Sequence, residues 1–419
     1  METLSPENPP AITDVLALIE QKSAAAFYQP VISIKKKSVI GLETVGRGID
    51  PVNRQLIEAD ALYQLSHKEN KSLDLDRLFR LKGLEGFQEI QSKIPGLLLF
   101  LGVETSVLTN EVVGSGHLLD MVSELRLDPN SIVIELSRGL ESNPEAVRKF
   151  VENYRAAGFL ISLRDVDTSR SGLDRVLRLN PDVIKMDPSL VGGISKDSYK
   201  RDHFRSLVNL SRKWGALVVA NGVENEEDAL VALELGADML QGGYFSKPQR
   251  TEISTKLGLK ARIVFVASRF KRQLSEKVSK DKERKNRYEK ITLEILEKFQ
   301  EISPLDAERK FGECLRQYPQ LECLYLLNQD GVQATETVCN NRKVSDRRRF
   351  LFQPAPKATD HSLKDYYYSL IFNGLDRYFT EPYVSMASGN LCVTASGTLK
   401  DSEDGKPYIL CLDLDVSKI

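Results

Sequence analysis

No stretch of this 419-residue chain reaches 18 uncharged apolar residues, so no membrane-spanning helix is expected. Charge of one sign is lacking too: the formal net charge is −1, which gives no overall pull toward nucleic acid or a membrane surface. The opening METLSPENPPAITDVL has no basic segment followed by an apolar core, which argues against a signal peptide and sets a cytoplasmic expectation. Cysteine is sparse. The five residues (Cys314, Cys323, Cys339, Cys392 and Cys411) are odd in number and irregularly spaced, and read as buried structural thiols. His67, His117, His203 and His361 lack metal-ligand or catalytic-base spacing, and the lone Trp214 is expected to pack a helix against a core. At 41% hydrophobic and 28% charged residues, the length fits a globular protein of two or three domains.

What is present is strand-like. FYQPVISI and SVIGLETV flank a lysine turn and read as a hairpin, on which Glu43, Val45 and Arg47 share one face. A carboxylate and a guanidinium on one strand face suit a metal-plus-phosphate site, with an ordinary surface ion pair as the alternative. Apolar runs recur at 97–103, 131–137, 159–165, 181–187, 216–222 and 237–245, separated by amphipathic helix-like stretches such as NPEAVRKFVENYRAAG. Continuous apolar strands alternating with helices predict a parallel sheet with helices outside, and about eight such units predict a closed β/α barrel. In such a barrel the chemistry sits at the C-terminal ends of the strands. That is where this chain places Glu43, Glu104, Glu135, Asp165, Lys185, Asp187, Asn221, Glu224 and Gln241.

Seven ordered segments carry a resemblance: YQP (28–30), ETVGR (43–47), IELSR (134–138), LRDVD (163–167), VIKMDPSLV (183–191), VANGVE (219–224) and QGGYFSKP (241–248). Residues from about 20 to 250 resemble the EAL-domain family, phosphodiesterases and receptors of the bacterial messenger cyclic di-GMP. The resemblance implies a modified TIM-like β/α barrel that holds one or two divalent metals on a carboxylate floor, with a lysine orienting the attacking water. Glu43, Glu135, Asp165, Lys185, Glu224 and Gln241 are retained at the matching positions. Four positions depart. Glu104 replaces the family asparagine ligand, Arg138 the second Glu of ELTE, Arg164 the first Asp of the Asp-Asp pair, and Asn221 the Glu opening EGVE.

These departures move the charge of the aligned floor from −6 in the family pattern to −2 here. Mg²⁺ and Mn²⁺ favour oxygen-rich, anionic ligand sets, whereas a guanidinium removes an oxygen and adds a permanent positive charge. The two arginines are expected to stand in for the missing cations by pairing with Glu43, Glu135 and Asp165. Without a metal the hydrolytic nucleophile is lost. The expectation is a catalytically inactive barrel with no metal cofactor that still serves as a cyclic di-GMP receptor or regulator. The resemblance implies nucleotide contacts at Gln29, Arg47, Gln241, Tyr244, Phe245 and Pro248. Two alternatives stand beside it: a weak phosphodiesterase using Mg²⁺ or Mn²⁺, with Glu104 as replacement ligand, and a nucleotide-free interaction scaffold.

The barrel is assigned to 1–252. From Lys260 to Ile302 the chain has no Gly or Pro, carries 13 Lys/Arg against 7 Asp/Glu, and reads as a connecting helix over 253–303. Its apolar stripe (Phe270, Leu274, Val278, Ile291, Ile295 and Phe299) predicts packed ends, with a wet middle at 279–287 that serves as a spacer and contributes to a homodimer. Residues 304–419 read as a small α+β module of PAS or Cache type, with a hairpin turning at Asp330-Gly331. The segments DRRRF, DYYY, TEPYVS, LCVTAS and CLDLDV resemble the C-terminal domain of YkuI-type EAL proteins, which marks Tyr367, Arg377, Tyr383 and Ser385 as candidate pocket lining. The output would be contact with a partner protein, with neither nucleic acid nor membrane as partner.

Overall fold

The computed structural model describes residues 15–137, 143–250, 257–340, 351–402 and 405–418. The chain divides into two compact units, 1–273 and 274–419.

The first unit is built on β1 (Ala24–Ser33), β2 (Ser38–Ile49), β3 (Leu56–Glu58), β4 (Leu98–Val103), β5 (Ile132–Leu136), β6 (Leu160–Val166), β7 (Val183–Met186), β8 (Leu217–Asn221) and β9 (Met239–Gln241). Their order is β1-β9-β8-β7-β6-β5-β4-β2-β3, and a further β1–β2 pairing closes eight strands into a ring. β1 runs antiparallel to both neighbours, while the ladders from β2 through β4 to β9 are parallel. This is the TIM-like barrel the periodicity predicts, modified by its reversed first strand. Each parallel strand is a short apolar run because it is buried on both faces; in β5 (IVIEL) all five residues are buried. The helix Pro144–Ala156 shows how the returns are specified. Asn143 caps it by accepting from the Ala146 N–H, Pro144 opens it, and Ala146, Val147, Phe150, Val151 and Tyr154 form its buried stripe.

Side-chain parity places the site. Val31, Phe100, Val133, Val183, Val219 and Met239 form one cluster filling the barrel interior. Successive side chains alternate faces, so the residues two further toward the C-terminal rim point inward as well. Those residues are Gln29, Glu135, Lys185, Asn221 and Gln241.

The second unit is one antiparallel sheet. Its strands are β10 (Leu321–Leu327), β11 (Val338–Cys339), β12 (Arg377–Phe379), β13 (Tyr383–Val384), β14 (Leu391–Lys400) and β15 (Pro407–Asp415), in the order β11-β10-β15-β14-β12 with β13 on β14. One face (Leu324, Leu326, Val393, Ala395, Leu410, Leu412 and Leu414) packs with Ile295, Phe299, Phe311 and Leu315. The other carries Tyr325, Leu327, Ile409 and Cys411 and is covered by Tyr366, Tyr367 and Leu370 of the helix Asp365–Phe372.

Two expectations are corrected. Cys323 and Cys339 stand directly opposite each other in the β10–β11 ladder and are joined by a disulfide, whereas Cys314, Cys392 and Cys411 are buried free thiols. In the helix Leu257–Lys298, Leu274 and Val278 are exposed, so the wet stretch begins earlier than charge alone indicated. Leu259, Ile263 and Val266 pack in the first unit, and packing resumes at Tyr288 in the second. Of the proposed pocket residues, Arg377 is exposed and the Tyr367 hydroxyl donates to the Gln329 carbonyl 2.7 Å away.

Candidate functional site: a carboxylate floor closed by a lysine

At the C-terminal rim of the barrel, Lys185 is the central group. Its Nζ lies 2.8 Å from Glu43 Oε1 and 3.3 Å from Glu135 Oε1, and all three side chains are buried. Glu43 is delivered by β2, Glu135 by β5 and Lys185 by β7, each at an inward position. The Arg164 guanidinium from β6 approaches Glu43 at 3.7 Å and remains 35% exposed. On the other side, the Gln241 amide donates to Glu43 Oε2 and, at 3.1 Å, to the Gln29 carbonyl oxygen. Gln29 in turn donates to the Ser246 carbonyl at 3.0 Å, tying β1 to the segment after β9.

The electrostatics of the two glutamates diverge. Burial opposes ionisation of Glu43, but the adjacent Lys185 and Arg164 outweigh it and hold the carboxyl well below its usual range. Burial dominates at Glu135, where the negative charge of Glu43 adds to it, and the carboxyl is raised despite Lys185. One carboxylate thus carries the charge that Lys185 neutralises, and the second is held toward its neutral form. The same surroundings stabilise the Arg164 cation, with Glu43 the chief contributor and Glu135 and Asp165 behind it.

The arginines were expected to pair with Glu43, Glu135 and Asp165, and Arg164 does form an ion pair with Glu43. Lys185 holds the central seat, and Arg164 reaches Glu43 from the rim. Arg138 lies outside the described residues. The β6–β7 ladder changes register between Leu163 and Val166, and Asp165 within that interval takes φ +54°, a left-handed conformation that Asp tolerates better than most residues. The irregularity falls where two consecutive acidic residues stand in the family pattern.

The remaining predicted residues are dispersed. Glu104 accepts from the Ser106 N–H at 3.2 Å, capping its own turn. Glu224 accepts from the Gly243 N–H at 3.1 Å. That contact depends on the Gly242-Gly243 pair, because a Cβ on Gly242 would collide with the Val223 backbone and one on Gly243 with the Glu224 carboxylate. Asn221 ends β8 half-buried, and Asp187 caps the short helix Pro188–Val191. Arg47 forms an ion pair with Glu58, its register partner on β3. Phe245 is buried in the main core, edge-on to Tyr244 at 5.0 Å, so it supports the rim rather than lining it. Tyr244 is half-buried with Arg262 over its ring at 5.3 Å, and Pro248 is half-buried beside it in sequence.

Two supports escaped the sequence reading. Arg175 is buried and donates to the carbonyls of Arg164 (3.3 Å), Leu136 (3.2 Å) and Ser137 (2.7 Å), clamping the ends of β5 and β6. Asp76 and Arg80 form a buried ion pair at 2.7 Å, and Asp76 also accepts from the Glu104 N–H at 3.2 Å. Both lie one turn from apolar helix residues, and only a polar residue interrupting a buried stripe would have signalled them.

The structure is thus of the closed β/α-barrel class, with inward carboxylates and a lysine at the C-terminal rim. The chain belongs to the EAL-domain family: residues 13–248, more than half its length, match the family. It is similar to the EAL-domain protein YkuI of Bacillus subtilis, at 23% identity over 93% of this chain and 94% of that one. It is also similar to the cyclic di-GMP phosphodiesterase RocR of Pseudomonas aeruginosa, at 26% identity over 57% of this chain and 61% of RocR. PdeB of Escherichia coli matches over 43% of its own length, so the chain spans only part of several of its relatives. The crystal structure of B. subtilis YkuI in complex with cyclic di-GMP and calcium superposes with a TM-score of 0.76 at 21% identity, covering 96% of this chain and 99% of that one. The likeness establishes the fold over both units.

Proposed function

We propose that the barrel is a cyclic di-GMP receptor without phosphodiesterase activity, coupled to a sensor or dimerisation module at 304–419. The observation that carries this is the Arg164 guanidinium 3.7 Å from Glu43, where the family pattern has a carboxylate; Lys185 Nζ, between Glu43 and Glu135, is kept by that pattern. Among the described residues, no three His, Cys, Asp or Glu side chains gather as a metal centre requires. The side chains as arranged do not fit Mg²⁺ or Mn²⁺, because Glu43 is already neutralised by Lys185 and Arg164 and Glu135 is held toward its neutral form. A phosphodiester, itself anionic, suits such a rim better. Arg164 is positioned to face one phosphate, and Arg47 would meet another on releasing the exposed Glu58. The phosphodiesterase RocR and the nucleotide-bound YkuI support the nucleotide as ligand class.

A weak phosphodiesterase is the second reading, supported by the retained Glu43, Glu135, Asp165 and Lys185. Two measurements separate the readings. Isothermal titration of cyclic di-GMP without metal should show binding that Arg47→Ala removes. Incubation with nucleotide and Mg²⁺ or Mn²⁺ should release no linear dinucleotide; its release would overturn the receptor reading. A homodimer, a protein partner for output and a cytoplasmic location complete the proposal. In a reducing cytosol the Cys323–Cys339 pair would be held open as thiols.

A further inference from the structure

Among the described residues, the second unit buries a carboxylate with no cation to meet it. On β15, Asp413 is 97% buried, its residual exposure being 3%. Its Oδ1 accepts from the Thr394 hydroxyl at 2.7 Å. Among the described residues no Lys or Arg forms an ion pair with it, and the charged group that acts on it is Glu322, of the same sign. Glu322 is itself buried and holds Ser388 at 2.6 Å and Asn390 at 2.8 Å.

The surroundings mix polar side chains with the apolar cluster of Tyr325, Leu327, Leu370 and Ile409. β14 and β15 turn Val393, Ala395, Leu410, Leu412 and Leu414 to one face, but Cys392, Thr394, Ser396, Cys411 and Asp413 to the other. Three tyrosines wall this second face. The Tyr383 hydroxyl lies 2.6 Å from Thr394 Oγ1. Tyr325 and Tyr366 form a ring cluster with His361. All three phenols are disfavoured from ionising first by burial, with the Asp413 charge also opposing it. Burial, with Lys364 behind it, holds the imidazole below its usual range. Its Nε2 donates to the Gln333 amide oxygen at 2.9 Å, its Nδ1 accepts from Tyr366, and burial favours its neutral form.

We infer that this face of the C-terminal sheet is a binding site for a small organic ammonium ion, with Asp413 as counter-ion and Tyr325, Tyr366 and Tyr383 as its walls. A buried carboxylate is tolerated when it is protonated or when a cation pairs with it. Electron-rich rings around a carboxylate supply both attractions that an alkylammonium group uses, ion pairing and the ring quadrupole. A hard inorganic ion is poorly served. Its shell of several oxygens is lacking among the described residues, and half the wall is Leu327, Leu370, Ile409 and aromatic carbon. The bound ion would displace the proton that otherwise neutralises Asp413, so ligand and proton compete for one oxygen.

The test uses the full chain with ethylammonium, choline and tetramethylammonium as probes, and tert-butanol as the uncharged control. Calorimetry at pH 6 in two buffers of different ionisation enthalpy should report about one proton released per ammonium bound, since burial lifts the Asp413 carboxyl to about 7. Affinity should fall about tenfold per pH unit below that value. Asp413→Asn keeps the shape and the Thr394 contact, and it should lose the response while remaining folded. Ammonium binding without proton release, equal binding by Asp413→Asn, or no binding by the wild type at pH 8 would each overturn the assignment. The buffer-pair measurement needs no variant and decides the matter even if the substitution disturbs folding.

Discussion

Replacing Arg164 by aspartate reverses the charge that most clearly separates this rim from a metal-binding one. The guanidinium lies 3.7 Å from Glu43 Oε1. Two unit charges at that separation interact by roughly 4 kcal/mol at an effective dielectric near 20. With 35% of the Arg164 side chain open to water, screening reduces this to about 2 kcal/mol. A divalent ion seated on Glu43 would meet about twice that as repulsion, roughly 4 kcal/mol, or about a thousandfold in affinity. Arg164→Asp removes the repulsion and adds an oxygen ligand. Manganese titration followed by electron paramagnetic resonance should show Mn²⁺ binding tightened at least about a hundredfold in the variant. Equal Mn²⁺ affinity in wild type and variant would refute the argument that the guanidinium governs the metal seat, whatever either protein does to the nucleotide.

Lys185→Met should cost roughly 3–5 kcal/mol, because it leaves the buried Glu43 carboxylate without its nearest counter-charge; urea unfolding followed by circular dichroism measures it, and a loss below about 1 kcal/mol contradicts the buried-pair reading. Asp413 predicts a pH dependence. Its folded pKa, raised to about 7 by burial, exceeds the unfolded 3.8, so the folded state holds the extra proton. Without ammonium ligand, stability should therefore fall as pH rises from about 4 to about 7, by up to roughly 4 kcal/mol, and Asp413→Asn should flatten the curve. Dithiothreitol should open the Cys323–Cys339 bond, whose partners are 16 residues apart, and lower the stability of the second unit by roughly 3 kcal/mol. An unchanged denaturation midpoint after reduction would dissociate that bond from the fold's stability.

Strand and helix alternation, the polar residue ending each barrel strand, and the substitutions at 104, 138, 164 and 221 are properties of local sequence. Period and composition therefore sufficed for the barrel, its rim, and the net loss of acidic charge there. Partner choice is not local. Lys185 and Glu43 are separated by four strands in the chain, and only ring closure brings β2 and β7 across one interior, so that Lys185 lies between Glu43 and Glu135 while Arg164 reaches Glu43 from the rim. Glu104 and Glu224 were spent on nearby N–H groups because backbone donors at a turn were closer than the floor. Cys323 and Cys339 met because the β10–β11 register set them opposite each other, which spacing of 16 could not reveal. Asp413 illustrates the same limit: alternation marks it as inward or outward, and only the helix Asp365–Phe372 lying over that face makes inward mean buried.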